Sequence, residues 1–188
     1  MKSLRINIDI DNTVNNFLSE FLVLCNGMRT ENSKFEMSDI REYFLDSCTG
    51  IDGTVLDTLF FKNPCFYRKL KPLPDSCYVI NSFNERHSIK FVTAIDYDVI
   101  DSRIEFLRTY FPNINVNKQL IVTNDKHSIF ADVVIDDCWD NLSNVNTDCK
   151  YLLFSQPWNA GNWDSRVIRV ETWQQIQSEI IKMEYGCG

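Results

Sequence analysis

The sequence predicts an α/β chain: a central parallel sheet flanked by helices, with a small helical cap inserted after the first strand. Two observations predict it. Short apolar, β-branched runs alternate with stretches of helical periodicity along most of the chain, the pattern of a parallel sheet covered on both faces. Between the first and second runs lie roughly 45 to 60 residues of helix and loop, where a βαβ crossover needs only about a dozen. The expected division is a core at 1–14 and 75–188 and a cap at 15–74.

The first strand lies within Leu4 to Val14 (LRINIDIDNTV) and delivers Asp9 and Asp11 to its carboxyl end. Val14 to Leu24 follows with apolar residues at helical spacing and ends near Gly27. In the insertion, Ser38-Asp39 is placed to cap a short helix through Phe44, and Val55 to Phe61 reads as another. The aromatics Phe35, Tyr43, Phe44, Phe60, Phe61, Phe66 and Tyr67 suit the insertion's own core. A helix runs from Pro74 to about Glu85, then a buried strand over Ile89 to Ile95 carries Thr93 at its end. Asp98 to Phe111 is helical and stopped by Pro112. Leu120 to Thr123 and Asp132 to Ile135 are strands, the first ending in Asn124-Asp125-Lys126 and the second in Asp136-Asp137. A short helix over Trp139 to Val145, strands at Tyr151 to Phe154 and Val167 to Val170, and a helix over Thr172 to Met183 complete the chain. The last helix turns Trp173, Ile176, Ile180 and Ile181 inward, and the tail Tyr185-Gly186-Cys187-Gly188 is frayed.

The bulk numbers exclude some partners. With 19 Lys plus Arg against 26 Asp plus Glu, a net charge of -7 argues against extended nucleic acid or an anionic membrane as partner. A small phosphorylated substrate needs only a local positive site. Seven cysteines without CxxC pairs suggest reduced, mostly buried thiols in a cytoplasmic protein. No signal peptide or membrane span is visible.

A parallel sheet lines up its strand ends, so Asp9, Asp11, Thr93, Lys126, Asp136 and Asp137 converge on one edge. Singly, each has a plain reading as a turn, a cap or a solvated side chain, and for Thr93 and Lys126 alone that reading is favoured. Jointly it is hard to hold. Two unit charges 4 Å apart repel by about 4 kcal/mol at an effective dielectric near 20, so clustered carboxylates need either protons or a cation. All-oxygen ligation without a nearby histidine favours Mg²⁺. His87 and His127 form no zinc pattern. Lys126 is suited to hold a phosphate oxygen.

These motifs resemble those of the haloacid dehalogenase (HAD-like) superfamily of phosphotransferases, and more closely its 5′(3′)-deoxyribonucleotidase family. The resemblance runs through Asp9-Ile10-Asp11 with Phe17, Phe66-Tyr67 leading to Leu70-Lys71-Pro72-Leu73-Pro74, and Phe91-Val92-Thr93. It continues through Ile121 to Lys126, Val134-Ile135-Asp136-Asp137, and Leu153 to Asn159. It implies a HAD-like Rossmannoid core and a Mg²⁺-dependent phosphatase acting on deoxyribonucleoside monophosphates, pyrimidine ones first. In that scheme Asp9, ionised at neutral pH, is the nucleophile and Asp11 the proton carrier. Asp9, the Asp11 main-chain carbonyl and Asp136 hold the metal, and Asp137 orients a metal-bound water. Thr93, Lys126 and Asn12 meet the phosphate, while Phe17 with Phe61 or Phe66 holds the base. Asn12 replaces the glycine of many relatives, and Ala94 a frequent hydroxyl. The partners expected are a nucleotide and, where it forms, a second copy in a homodimer. Two other readings stay open: a HAD-like phosphatase for another small phosphate ester or a polynucleotide 3′ end, and a non-catalytic nucleotide-binding protein.

Overall fold

The computed structural model describes residues 2–30, 33–143, 148–161 and 166–186. Its centre is one parallel sheet of six strands: β1 (Arg5–Ile8), β2 (Ser88–Thr93), β3 (Leu120–Val122), β4 (Val133–Asp136), β5 (Lys150–Phe154) and β6 (Val167–Val170). The order across the sheet is β3-β2-β1-β4-β5-β6. Ile6 stands opposite Ile89 on one side and Val133 on the other, so β1 is central. Ile6 and Ile8 are wholly buried, as an interior parallel strand requires. The chain winds outward from β1 to β2 and β3, then returns to add β4 on the other side. Beyond the carboxyl ends of β1 and β4 lies the crevice in which such sheets bind ligands.

Helix α1 (Phe17–Gly27) follows β1, and it starts three residues later than the spacing of Val14 suggested. The reason is polar: Asn12 Oδ1 accepts from Leu18 N at 2.7 Å and Asn15 Oδ1 from Phe17 N at 3.1 Å, which caps the first turn from the preceding loop. The insertion continues with α2 (Leu45–Thr49), α3 (Gly53–Leu56), a wider π turn over Asp57–Phe61, and α4 (Pro64–Tyr67). Asp52 and Asn63 cap α3 and α4 with their side chains, and Gly50 closes α2 at φ 64°. The helix expected from Ser38 to Phe44 is a single 3₁₀ turn, Met37–Asp39. Asp39 reaches back to the Glu36 N–H at 2.8 Å and closes it, and Ile40 then leaves helical geometry to bury itself completely. No strand occurs between β1 and β2 among the described residues. Where the insertion begins and ends, its two connections run side by side: Leu73 N donates to Val14 O at 2.7 Å and Asn16 N to Lys71 O at 3.0 Å.

The remaining helices are α5 (Ser76–Arg86), α6 (Ile100–Tyr110), α7 (Val116–Gln119), α8 (Trp139–Ser143) and α9 (Trp173–Tyr185). The α8 end expected at Val145 and the tail residues Cys187 and Gly188 lie outside the described residues. Helices α5 and α9 pack together, α5 against β2 and α9 against β6. Trp173, Ile176 and Ile180 form the inward stripe of α9, but Ile181 is one position around the helix and 39% exposed. Cys25, Cys138 and Cys149 are buried, whereas Cys65 is exposed. The inserted segment has no separate core among the described residues. Phe60 and Phe66 meet Phe21 and Phe17 of α1 edge to face, within one cluster continuous with the sheet's core, while Tyr43 and Phe44 stay exposed. No helix among the described residues is long and apolar enough to cross a membrane.

Beneath α9, His87 Nδ1 accepts from Leu4 N at 3.3 Å while Nε2 stands 3.0 Å from buried Glu184, which Arg86 also holds. Burial pushes the His87 pKa down, and Arg86 adds to this against the opposing pull of Glu184. The unfolded chain therefore binds the proton more readily, and the His87 contribution to stability falls as pH drops through the unfolded value near 6.5. In urea titrations the difference in stability between wild type and His87→Gln should move against wild type between about pH 7 and pH 5. A difference that does not change with pH across that interval would contradict the assignment.

Candidate active site

The carboxyl edge of the sheet collects the charged residues. Asp9 follows β1 directly, still in register, its N–H donating to Ile135 O at 2.9 Å, so its carboxylate lies beside the end of β4. Lys126, just past β3, reaches across to it: Nζ donates to Asp9 Oδ1 at 2.5 Å and to Asp136 Oδ2 at 3.0 Å. Asp136 ends β4 and is fixed further by the Cys138 N–H at 2.9 Å and by Asn141 at 3.2 Å. Asp137, next in the chain, has its main-chain carbonyl held by Trp158 Nε1 and Asn159 Nδ2. Asp137 is 3% exposed, and its Oδ2 has no hydrogen-bond partner among the described residues.

Asp9, Asp136 and Asp137 can each offer an oxygen with all three within 4.8 Å of one another. Three buried carboxylates against one ammonium leave an excess of negative charge. It shows in the pKa values: burial first, then Asp136 and Asp11, lift Asp9 to about 7 against the pull of Lys126. Burial, Asp9 and Asp136 likewise raise Asp137 well above the usual carboxylate range. Burial pushes Lys126 down, but Asp136 and Asp9 outweigh it and hold the ammonium far above its ordinary value. An orphaned buried carboxylate oxygen and an all-oxygen donor set fit a hard divalent cation. Asp11's carboxylate is not part of this cluster.

Asp11 turns elsewhere. Its two oxygens accept from Asn15 Nδ2 at 2.9 Å and from Arg103 Nη2 at 2.5 Å. The strand geometry that would aim Asp9 and Asp11 alike ends at Ile8, and Asn12 reverses the chain with φ 57°. The Asn12 side chain is occupied by the Leu18 N–H, while its carbonyl accepts from Gln156 Nε2 at 2.8 Å. Thr93 is the last residue of β2, 1% exposed, with its carbonyl accepting from Thr123 N.

Asp11 and Asn12 border a cavity of about 370 Å³ whose far wall comes from the insertion. Phe17 and Phe61 line it, stacked at 5.8 Å with 15° between their planes. Phe66 does not reach it: it is buried behind Phe17 as a core residue. The widened turn at Asp57–Phe61 puts Phe60 in the core and Phe61 on the cavity. Tyr67 lines the floor, and Tyr43 meets Trp158 edge to face at 6.3 Å across the rim. Tyr43 is half-exposed as a residue, and burial of its hydroxyl with the charges of Asp137 and Asp9 pushes its phenol up in pKa. Asp9 faces a separate void of about 10 Å³ shared with Lys126, Asp136 and Asn141.

Sequence reasoning missed Arg103. It is 1% exposed, on α6. A signal was present: Arg103 falls four residues after Val99 and four before Leu107, on the apolar face of its helix, where an arginine needs a buried partner.

A family model described as 5′ nucleotidase, deoxy (pyrimidine), cytosolic type C protein matches residues 2–184. A 5′(3′)-deoxyribonucleotidase of Clostridium acetobutylicum is 24% identical over 181 residues, 95% of each chain. A Staphylococcus epidermidis protein provisionally given the same name is 27% identical over 183 residues, 96% of this chain and 97% of its own. A solved Bacillus subtilis protein, provisionally classed as a HAD-hydrolase and bound to magnesium, superposes with a TM-score of 0.58 at 10% identity, covering 96% of this chain and 99% of its own. That likeness establishes the HAD-like fold.

Proposed function

The chain belongs to the cytosolic type C 5′ nucleotidase family, a family of phosphoric monoester hydrolases, and from that premise we propose a Mg²⁺-dependent hydrolysis of deoxyribonucleoside monophosphates, pyrimidine ones first, through a phosphoryl group carried on Asp9. The observation that carries this reading is the meeting of Asp9, Lys126, Asp136 and Asp137 at the sheet edge beside an aromatic cavity that Asp11 borders.

The Asp9 carboxylate attacks phosphorus; as that bond forms, the bond to the nucleoside oxygen breaks and its electron pair stays with the leaving oxygen. Asp11 delivers a proton to that oxygen as the bond breaks. Water then attacks phosphorus, its proton passes to Asp11, and the Asp9 carboxylate departs with inorganic phosphate released. Lys126, with its raised pKa, stays charged throughout, able to follow a phosphoryl oxygen as charge moves off Asp9. In this reading Thr93 and the Asn12 loop would meet the remaining phosphoryl oxygens. Asp9, Asp136 and Asp137, with the Asp11 main-chain carbonyl, would hold the magnesium ion, which offsets the repulsion between carboxylate and phosphate. Residues 15–74 act as the cap, Phe17 and Phe61 offering a flat apolar face to the base.

A kinetic panel of dUMP, dTMP, dGMP and UMP with and without Mg²⁺ tests this. The expected order is dUMP and dTMP ahead of dGMP, with UMP at least about tenfold slower because an added hydroxyl would lie unpaired against an apolar wall. Equal kcat/KM on UMP and dUMP removes the deoxy preference. Turnover undiminished by EDTA removes the metal.

A further inference from the structure

Asp9 and Asp11 stand two residues apart, yet each has its own cation: Lys126 for Asp9 and Arg103 for Asp11. The geometry points to Arg103 as the positioning residue that holds Asp11 as acid and base, apart from the nucleophile's cluster. The assignment rests on the nucleotidase reading and adds to it a residue acting through Asp11.

The Arg103 side chain is wholly buried, whereas that of Asp11 is 23% exposed toward the cavity. Taking a guanidinium out of water is costly, and a helix in this place needs no charge for stability. Its Nη2 meets Asp11 Oδ2 at 2.5 Å, and Nε and Nη1 have no hydrogen-bond partner among the described residues. The guanidinium carbon lies 5.1 Å from the centre of the Tyr67 ring, so Tyr67 fixes its plane. Asn15 takes the other Asp11 oxygen. Two donors, Asn15 from the loop itself and Arg103 from α6, thus pin both carboxylate oxygens, each keeping a second lone pair for the travelling proton. Tyr67 also lines the nucleotide cavity and packs against Phe17 at 6.1 Å, so the base wall and the acid share one support.

The leaving group tells positioning from mere packing. A nucleoside leaves as an alkoxide and needs Asp11's proton, whereas p-nitrophenolate leaves without it. Comparison by kcat/KM excludes the later hydrolysis step, which both substrates share. Arg103→Met should lower kcat/KM for dUMP by about 100-fold or more, in the range that general acid catalysis supplies, and for p-nitrophenyl phosphate by less than about tenfold. Arg103→Lys, which keeps the charge without the planar fork, should fall between. Equal losses on both substrates, or no loss on dUMP, would overturn the assignment. If Arg103→Met does not fold, Arg103→Lys is measured in an Asp11→Asn background: no further loss on dUMP is expected there, and a full multiplicative loss would overturn it. A wild-type enzyme that cleaves neither substrate would sink the nucleotidase reading itself, and Arg103's role with it.

Discussion

Asp9→Asn lowers kcat on deoxyribonucleotides by about 10⁴-fold or more, the scale on which loss of a nucleophile shows when the rest of a site remains. The substitution keeps the volume and can still accept from Lys126, so the fold and the cavity survive. What goes is a carboxylate able to form an acyl phosphate. Asp11→Asn differs in kind: the nucleophile stays, and a substrate with a good leaving group should still transfer its phosphoryl group. Steady-state kinetics of the two variants on dUMP and on p-nitrophenyl phosphate separate these roles. An Asp9→Asn enzyme with near-normal turnover would contradict the nucleophile assignment.

The second large effect concerns Lys126. It is the ammonium placed between Asp9 and Asp136, 11% exposed, and its removal leaves three buried carboxylates facing one another. Breaking a buried pair in this way costs about 3–5 kcal/mol, so metal-free Lys126→Met should melt roughly 10 °C below wild type. The loss depends on pH with a definite sign. Asp9's folded pKa of about 7 lies above its unfolded value, so the folded chain binds that proton more tightly and its stability falls as pH rises from near 4 through 7. Without Lys126 the pull that lowers Asp9 is gone, and the fall should steepen. Mg²⁺ should restore stability to the variant more than to wild type, because the cation then supplies the only positive charge among the carboxylates. Calorimetry at pH 6 and pH 8, with and without Mg²⁺, checks all three; a pH-independent difference unaffected by Mg²⁺ would contradict the electrostatic account. Activity should fall by about 10²–10³-fold, the usual cost of one fixed donor.

The sheet was legible in the sequence because β1 to β4 are apolar runs with β-branched residues that close on Asp, Thr or a Lys-bearing turn, and strand ends in a parallel sheet must converge. The insertion's helices were harder. Whether Ser38 to Phe44 forms a helix depends on Asp39 reaching back to Glu36 and on Ile40 finding a core pocket, and only the second is a long-range fact. Phe60, Phe61 and Phe66 look alike in sequence; the π turn decides that Phe61 faces the cavity while the other two are core. The divergence of Asp9 from Asp11 follows from Asn12, whose side chain the α1 backbone consumes as a cap. Arg103 escaped notice because a lone arginine in an amphipathic helix is ordinarily solvated.

Asp9's role as nucleophile is tested most directly by trapping. Wild-type protein mixed with a deoxyribonucleotide and Mg²⁺, quenched in acid within a turnover and mapped by peptide mass, should carry a hydroxylamine-labile phosphoryl group on the peptide containing Asp9. That group should be absent from Asp9→Asn. Turnover with no phosphoryl-protein, or with the group on any other residue, would contradict the account.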